Sequence, residues 1–545
     1  PLKNGLKSVS LSANWMWPAN NIGENNRLYS AVKACSDFCI ELGINVPTGK
    51  DSMSMKQKYK NDEVLSPGTV IISAAAEVSD VSKCVEPFFK KLNSNLYYID
   101  MSSCDLNLGG SALMQSNNRI GHKSNDILNA KYFKKVFNGI QLLINEEKIY
   151  SGHDVSSGGL ITSILEMAFV SRGIGLEIFL DEFNDDLIKI LFAENHAIII
   201  EAEKTIESDL IKNDIKFINI GRTVDSDKIE IKKNEKNYTF NINDYRKKWF
   251  EKSLKLDSIQ SGIKYAKKRF KNLKSNGLKF KFPKWFDGEF KKIHNNKIKA
   301  AILREKGSNS EREMAYAMYV SGFDVVDIHM TDLMSGRENL DDIKFLVAVG
   351  GFSNSDVLGS AKGWAGTFLY NEKAKKSLKN FYSKNDNLSL GVCNGCQLFM
   401  ELGLITVDTK KKTFMDFNDS GKFECVFTSV KIEENNSIMF KNFKDTNLGI
   451  WSAHGEGKFV LPGKETDYNI IGKYAKNSFP SNPNGSDFNT AILANKDGRH
   501  VAMMPHLERS IFPWNWGFYP DKKSAHNISP WIQAFKNAYE WLKST

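Results

Sequence analysis

The strongest constraint on the fold of this chain lies in residues 297–545, where short apolar segments alternate with helical periodicity. Lys299–Leu303, Phe323–His329, Phe345–Val349 and Leu388–Val392 read as strands, with Glu311–Ser321 as an intervening helix. Strands that are apolar throughout are buried on both faces, and their alternation with helices predicts a parallel, doubly wound α/β sheet of the flavodoxin-like kind. One of these strands runs directly into Gly391-Val-Cys393-Asn-Gly395-Cys-Gln397, and helical periodicity resumes at Leu398–Leu402. Such an elbow presents its central residue at the carboxyl end of the sheet, and the flanking glycines permit a turn that a Cβ would obstruct. Cys393 is therefore the predicted nucleophile, with backbone N–H groups of the following helix facing any developing negative charge. The loop Gly350-Gly351-Phe352-Ser353 is a second candidate source of N–H donors.

A thiol nucleophile needs a base, and the base needs an orienting partner. His506 and Glu508 lie two apart in Met503-Met-Pro-His-Leu-Glu-Arg509, so in an extended segment both side chains leave one face while Leu507 points away. Either residue alone is more often structural; together with an elbow cysteine in the same domain they form a specific combination. Cys393 and Cys396 also have the spacing of a redox dithiol or half a zinc site, but no second cysteine pair or Cys/His cluster lies nearby in the sequence. His454, in Ala453-His-Gly-Glu-Gly457, is open to two readings, a pocket residue or an ordinary loop histidine.

At 545 residues the chain is too long for one ordinary core. A helix is expected over Asn25–Leu42, with Cys35 and Cys39 on its apolar face. Next come a turn at Pro47–Asp51, which puts Lys50 and Asp51 on a loop, and a strand at Thr69–Val78. A second unit opens with the strand Leu96–Ile99 and passes through Leu108-Gly-Gly-Ser-Ala112. It then reaches His153-Asp-Val-Ser-Ser-Gly-Gly-Leu160 and a helix over Ile161–Val170, with further strands at Gly175–Leu180, Ala197–Ala202 and Phe217–Gly221. Asp154 is a candidate Mg²⁺ ligand, Ser156 a candidate phosphate contact, and Lys50 and Asp51 candidate nucleotide-binding residues, although turns of this composition are as often structural. No Gly-x4-Gly-Lys-Ser/Thr phosphate loop is present. The expected domains are 1–90, 91–225, a lysine-rich linker with a packed helix at 226–296, and 297–545.

Lys+Arg 74 against Asp+Glu 64 gives a net charge of +10, but the excess is scattered lysine, concentrated between Lys232 and Lys297. That pattern suits a solvated surface and anionic small substrates better than nucleic acid, so no nucleic-acid partner is expected. Seven irregularly spaced cysteines read as reduced thiols in a cytoplasmic protein. No apolar stretch approaches the roughly 20 residues of a bilayer span, so no membrane partner is expected. Pro1 stands where a start methionine is usual, with no basic-then-apolar leader behind it, which reads as a chain continuing upstream.

Taken in order, these motifs resemble the large, single-chain form of phosphoribosylformylglycinamidine synthase, in its C-terminal portion. The resemblance rests on Asn14–Trp17, Pro47–Met53, Leu108–Ala112, His153–Leu160, Gly350–Ser353 with Asp356–Gly359, Gly391–Gln397, Ala453–Gly457 and Asn482–Ser486. It implies that residues 1 to about 225 form the second of two halves resembling aminoimidazole ribonucleotide synthetase, and that 297–545 form a class I glutaminase. It implies Cys393, His506 and Glu508 as the triad, Asp154 as a ligand of Mg²⁺ and Ser156 as a nucleotide contact. It also implies ATP, L-glutamine and formylglycinamide ribonucleotide as substrates, and a missing N-terminal synthetase portion supplied in cis or by another chain. Leu507 stands where the family usually has Pro, and Asn354-Ser355 where it has Tyr-Gly. Two other readings compete: a glutaminase or scaffold half that is inactive in synthesis without an upstream chain, and a stand-alone thiol hydrolase.

Overall fold

The computed structural model describes residues 1–545 apart from 172, 274–276, 294–296, 406–412 and 521–525. The linker range 226–296 thus lies partly outside the described residues. The chain divides into two compact units, Pro1–Phe250 and Glu251–Thr545.

In the first unit, the strand Ser10–Met16 pairs in parallel with Asn45–Ser52 and antiparallel with Thr69–Ala75. The segment expected to be a turn at Pro47–Asp51 is therefore a strand, and Lys50 and Asp51 lie opposite Asn14 and Trp15. Two local features reconcile turn-forming residues with pairing. The register shifts between Ser10 and Ser12, beside Pro47. Gly49 lies so near the neighbouring strand that a Cβ there would sit 2.1 Å from the Ala13 carbonyl oxygen. The helix Glu24–Leu42 ends at Gly43 in a left-handed cap, with Cys39 buried and Cys35 half-buried. The three consecutive residues Val70, Ile71 and Ile72 are exposed, so both faces of this small sheet are open within the unit.

The rest of the unit is a seven-stranded sheet. Its order is Lys236–Asn241, Lys228–Lys233, Ile174–Phe179, Ile218–Asp225, Asn95–Asp100, Ala197–Ala202 and Ile149–Val155. Helix Gly159–Val170 contributes Leu160, Ile164 and Met167 to one apolar cluster, and helix Ala130–Asn145 contributes Val136, Ile140 and Leu143 to another. The two outermost strands on one edge fall inside the range expected to be linker. Ile229 and Ile231 are fully buried there, and the Lys233 ammonium donates to the Leu180 carbonyl at 3.1 Å. Alternating Ile with Lys and Glu is a half-buried strand pattern, so lysine content misled the linker reading.

In the second unit, a nine-stranded sheet runs Phe323–His329, Ile298–Arg304, Phe345–Ala348, Leu388–Val392, His500–Met503, Thr490–Ala494, Asn469–Tyr474, Glu424–Ile432 and Asn447–His454. The first five are mutually parallel, four of them being the expected apolar segments and His500–Met503 an addition, and the remaining four pair antiparallel. The expected parallel sheet is present and is extended by four antiparallel strands. Phe280 and Phe282, late in the expected linker, pack on Trp516 at ring-centroid distances of 5.1 and 5.8 Å. That stretch is part of the second unit's core.

Candidate active site

The strand Leu388–Val392 delivers Cys393 to the N-terminus of helix Asn394–Glu401 with φ 53° and ψ −106°, a conformation L-residues rarely adopt. Glycines make the elbow possible. A Cβ on Gly391 would lie 2.5 Å from the Gly395 carbonyl oxygen, and one on Gly395 would lie 2.0 Å from that of Ala348. Cys393 is anchored through its N–H, which donates to the Met503 carbonyl at 2.9 Å, while its Sγ lies 3.5 Å from the Ala453 carbonyl oxygen.

His506 stands over the elbow. Its N–H donates to the Trp451 carbonyl at 2.8 Å, and Nδ1 lies 2.7 Å from Glu508 Oε1. The segment is not extended as expected. Leu507 has φ −70° and ψ −33° and leads into a 3₁₀ turn at Glu508–Ser510, so a tight turn brings the imidazole and carboxylate together. The φ of Leu507 is one that proline would impose, so leucine at this place costs no geometry. Gly350 leaves the space the imidazole needs: a Cβ there would lie 2.7 Å from His506 Cε1 and 3.4 Å from Cys393 Cβ.

Cys393, His506 and Glu508 are 5%, 2% and 1% exposed. Burial opposes charge on His506, but the Glu508 carboxylate and the neighbouring Cys393 outweigh it and raise the imidazole to about 10. Burial likewise acts to raise Glu508, and the facing His506 charge overcomes it and lowers the carboxyl. The two groups thus favour an ion pair. Cys396 differs: it is fully buried, and burial, with the charge of Cys393, holds its thiol well above the ordinary range. A group so hard to ionise is a poor partner in a redox dithiol.

A cavity of about 230 Å³ opens beside Cys393, lined among others by Asp356, Ser360, Gln397, Lys422, His454 and Glu456. This resolves the two readings of His454 in favour of the pocket. Asn418 spends its Nδ2 on the carbonyls of His454 and Lys422, so its Oδ1 accepts from His454 Nδ1 at 3.0 Å and from the Gly457 N–H at 3.1 Å. Nε2 of His454 then faces Asn484 Nδ2 at 3.4 Å. Burial, reinforced by the nearby His506 charge, pushes this imidazole down to about 3. It is a neutral wall of the pocket, and through it the Ala453–Gly457 and Asn482–Ser486 turns are tied together.

The loop after Val349 is more committed than the sequence suggests. Phe352 N–H donates to Gly307, Ser353 N–H to Asn394 Oδ1 and Asn354 N–H to Lys306. Asn354, Ser355 and Asp356 all have left-handed φ, of 52°, 55° and 51°. Ser355 bears a Cβ where the resemblance has glycine, at a cost of about 1–2 kcal/mol. Asp356 and Glu456 were quoted in sequence motifs without a role; a charged residue between two glycines was the available signal for Glu456. Nothing in the sequence marks Asn418.

The remaining candidate residues lie in the first unit. Asp154 ends a strand with its carboxylate 74% exposed, and its neighbour His153 approaches Glu166 at 3.3 Å. Ser156 is exposed, and its carbonyl accepts from the Gly159 N–H. The Gly158 N–H and the Ala112 N–H both donate to Glu194, which ties the Leu108–Ala112 and His153–Leu160 turns together. Lys50 donates to the Asp51 carbonyl and to Ser52, and among the described residues no hydrogen bond or ion pair joins Lys50 or Asp51 to Asp154 or Ser156. No group of three or more His, Cys, Asp or Glu side chains suited to a metal occurs among the described residues. All seven cysteines are free, and no described helix is long and apolar enough to cross a membrane.

Comparison with known proteins matches residues 297–542 to the CobB/CobQ-like glutamine amidotransferase domain, 97–234 to the AIR synthase related protein C-terminal domain, and 2–77 to the FGAR-AT PurM_N-like domain. The class is thus a multidomain α/β chain in which AIR-synthase-related domains precede a glutamine amidotransferase domain. The probable phosphoribosylformylglycinamidine synthase, chloroplastic/mitochondrial, of Arabidopsis thaliana is 36% identical over 99% of this chain and 40% of its own length. The phosphoribosylformylglycinamidine synthase of Homo sapiens is 32% identical over 99% of this chain and 43% of its own length. A solved structure of PurLQS from Thermotoga maritima matches at 25% identity, covering 45% of this chain and 98% of that one, with a TM-score of 0.35. The chain belongs to the phosphoribosylformylglycinamidine synthase family, matches its C-terminal portion, and spans less than half the length of these two relatives.

Proposed function

We propose that this chain supplies the glutaminase and one synthetase half of an ATP-dependent enzyme converting formylglycinamide ribonucleotide to formylglycinamidine ribonucleotide. Residues 1–90 and 91–225, the latter extended by the edge strands to 241, are read as the N-type and C-type parts of that half, and 297–545 as the glutaminase. The observation that carries the reading is the convergence of Cys393, His506 and Glu508 beside a cavity, with the imidazole hydrogen-bonded to Glu508 and electrostatically coupled to Cys393.

In this account the Cys393 sulfur attacks the side-chain amide carbon of glutamine. The oxyanion faces the first N–H groups of helix Asn394–Glu401, which have no acceptor within the helix. The proton of the Cys393–His506 pair, already held on the raised imidazole, is delivered to the departing nitrogen, releasing ammonia and leaving a glutamyl thioester. Water activated by the same imidazole then releases glutamate and regenerates the thiol. Glu508 holds the ring with Nε2 toward sulfur. In the synthetase part, the glycinamide carbonyl oxygen of formylglycinamide ribonucleotide takes the γ-phosphoryl group of ATP, and ammonia adds to that carbon and displaces phosphate, leaving the amidine and an untouched formyl group. Free ammonia would be protonated in water, so an internal path between the two chemistries is expected.

Asp154 fits as a single exposed carboxylate on a Mg²⁺ ion whose other ligands come from phosphates, water and upstream residues, the usual mode for Mg²⁺. When bound, the ion neutralises charge at the transferring phosphate. Ser156 is read as a nucleotide contact, and Lys50 and Asp51, on an exposed strand, as further nucleotide-binding residues. The compartment is read as cytoplasmic; the Arabidopsis relative carries a chloroplastic/mitochondrial description.

The upstream synthetase portion is read as a partner in cis or in trans. The open small sheet, with Val70, Ile71 and Ile72 exposed in succession, supports a missing neighbour. Glutamate release from glutamine, measured with and without ATP and formylglycinamide ribonucleotide, tests the reading. Release that depends on Cys393 and rises with both substrates once the upstream portion is added is expected. Cleavage of unrelated thioesters or amides in preference to glutamine would point instead to a stand-alone thiol hydrolase.

A further inference from the structure

One wall of the cavity beside Cys393 is tethered from outside residues 297–542, by helix Ile263–Asn272. Phe417, Lys422 and Phe423 line the cavity, and Glu424 directly follows them as the first residue of strand Glu424–Ile432, opposite His454 in the paired strand. Phe423 in turn meets Phe352, on the loop after Val349, at a ring-centroid distance of 5.8 Å. A second segment reaches the same histidine: Phe479 leads through Asn482 to Asn484, whose Nδ2 faces His454 Nε2 at 3.4 Å. Arg269 touches both segments. Its Nη1 donates to Glu424 Oε1 at 3.2 Å, and its guanidinium carbon lies 4.9 Å from the centroid of the Phe479 ring. Nε and Nη2 donate to the two carboxylate oxygens of Asp257, each at 2.7 Å, and Nη2 also donates to Ser261, both partners being on helix Ile242–Ser261. Hydrogen bonding to Arg269 holds the Asp257 carboxyl below its ordinary range against burial, and the Lys422 charge adds to the effect, so the cluster extends to the cavity lining itself. An isolated exposed ion pair contributes little, but a planar fork held by two carboxylates and an aromatic face is restricted to one orientation. The Glu424 side chain is 13% exposed, so removing the guanidinium leaves a carboxylate that water reaches poorly.

We propose that Arg269 is a positioning residue for glutamine turnover, holding residues 422–424 and 479–484 together where they meet at His454 and acting through these segments rather than on the substrate. The inference rests on the glutaminase reading and extends its machinery to a helix that precedes the amidotransferase domain. Loss of the fork lets the two segments separate, so the cavity holds glutamine less tightly. Cys393 and His506, anchored through the carbonyls of Met503 and Trp451, keep their geometry. The cost therefore falls on KM rather than on kcat.

Glutamate release over a range of glutamine concentrations tests this in the wild-type chain and in Arg269→Gln, Arg269→Lys, Glu424→Gln and Arg499→Gln. Arg499 is the comparison. It pairs with Asp497 at 2.7 Å and precedes strand His500–Met503, at the opposite end of the parallel strands from the elbow. Arg269→Gln is expected to raise KM by ~10-fold or more with kcat within about threefold of wild type. Arg269→Lys, which keeps the charge and loses the fork, is expected to raise KM by less. Arg269→Gln combined with Glu424→Gln is expected to raise KM no further than the larger single effect, because both remove one contact. Arg499→Gln is expected to lower the thermal midpoint and leave KM unchanged. A KM within about twofold of wild type in Arg269→Gln, a fall in kcat alone, or an equal rise of KM in Arg499→Gln overturns the proposal. Should Arg269→Gln not fold, Glu424→Gln reads the same contact from the other side: a rise in KM of about threefold or more is expected, and an unchanged KM overturns the proposal. Absence of glutamate release from the wild-type chain at every glutamine concentration would remove the glutaminase reading itself, a result distinct from an unchanged KM.

Discussion

At the residue scale, chemistry is concentrated in a few side chains whose neighbours set their charge. The His506–Glu508 pair has a definite pH signature. The imidazole is raised from its ordinary 6.5 to about 10, so its contribution to stability is complete below about pH 6.5 and is lost as pH rises toward 10. Glu508 is lowered from 4.5, so its contribution is present above about pH 4.5 and is lost as pH falls through its folded value. The difference in thermal midpoint between the wild-type chain and Glu508→Gln should therefore be largest between about pH 5 and 6.5 and shrink on both sides. A difference that is flat from pH 5 to 9 would show that the pair is not ionised in the folded chain. Glu508→Gln should also lower the rate of glutamate release by about 10²-fold or more, since the ring loses its orienting acceptor. Cys393, His506 and Glu508, the proposed nucleophile, base and orienting acid, could be singled out from sequence because the elbow and the His-x-Glu spacing are local. The turn that joins His506 to Glu508 could not, because the φ and ψ of Leu507 depend on contacts with the distant strand ending at His454.

At the element scale, glycines decide where the site sits, and two of them separate geometry from stability. Gly395→Ala places a methyl 2.0 Å from the Ala348 carbonyl oxygen, a clash with backbone that the elbow cannot relieve. It should destabilise the second unit by about 1–3 kcal/mol in denaturant unfolding. Gly350→Ala meets the His506 ring at 2.7 Å, a side chain that can move. It should cost less stability than Gly395→Ala while lowering glutamate release by about 10²-fold, because displacement of a base by about 1 Å is enough. Equal effects of the two substitutions on stability would contradict this division.

The same scale shows what sequence periodicity reaches. Four of the five parallel strands were legible as short, largely apolar segments; the fifth, His500–Met503, was not. The antiparallel strand Glu424–Ile432 was not, since it buries Thr428 and Ser429 among apolar residues and matches neither a run nor an alternation. The strand Asn45–Ser52 was hidden because Pro47 and Gly49 are turn residues in isolation, and only the close approach of Ala13 explains the glycine.

At the scale of the whole molecule, the chain forms two compact units, to which the proposed function assigns one chemistry each, and it spans 40% to 44% of the curated relatives it matches. An open three-stranded sheet with exposed Val70, Ile71 and Ile72 should be covered when the upstream portion is present. Amide hydrogen exchange in residues 69–75 is expected to slow by about tenfold or more on addition of that portion, and ATP-dependent amidine formation to appear with it. Unchanged exchange would remove this sheet from the interface. The central claim, that the second unit cleaves glutamine through Cys393, is tested most directly by acid-quenching the chain during turnover with glutamine and mapping the covalent adduct by peptide mass spectrometry. The account predicts a glutamyl group on the peptide containing Cys393, absent in Cys393→Ala together with glutamate release. Glutamate release that persists in Cys393→Ala, or an adduct on a different residue, would contradict it.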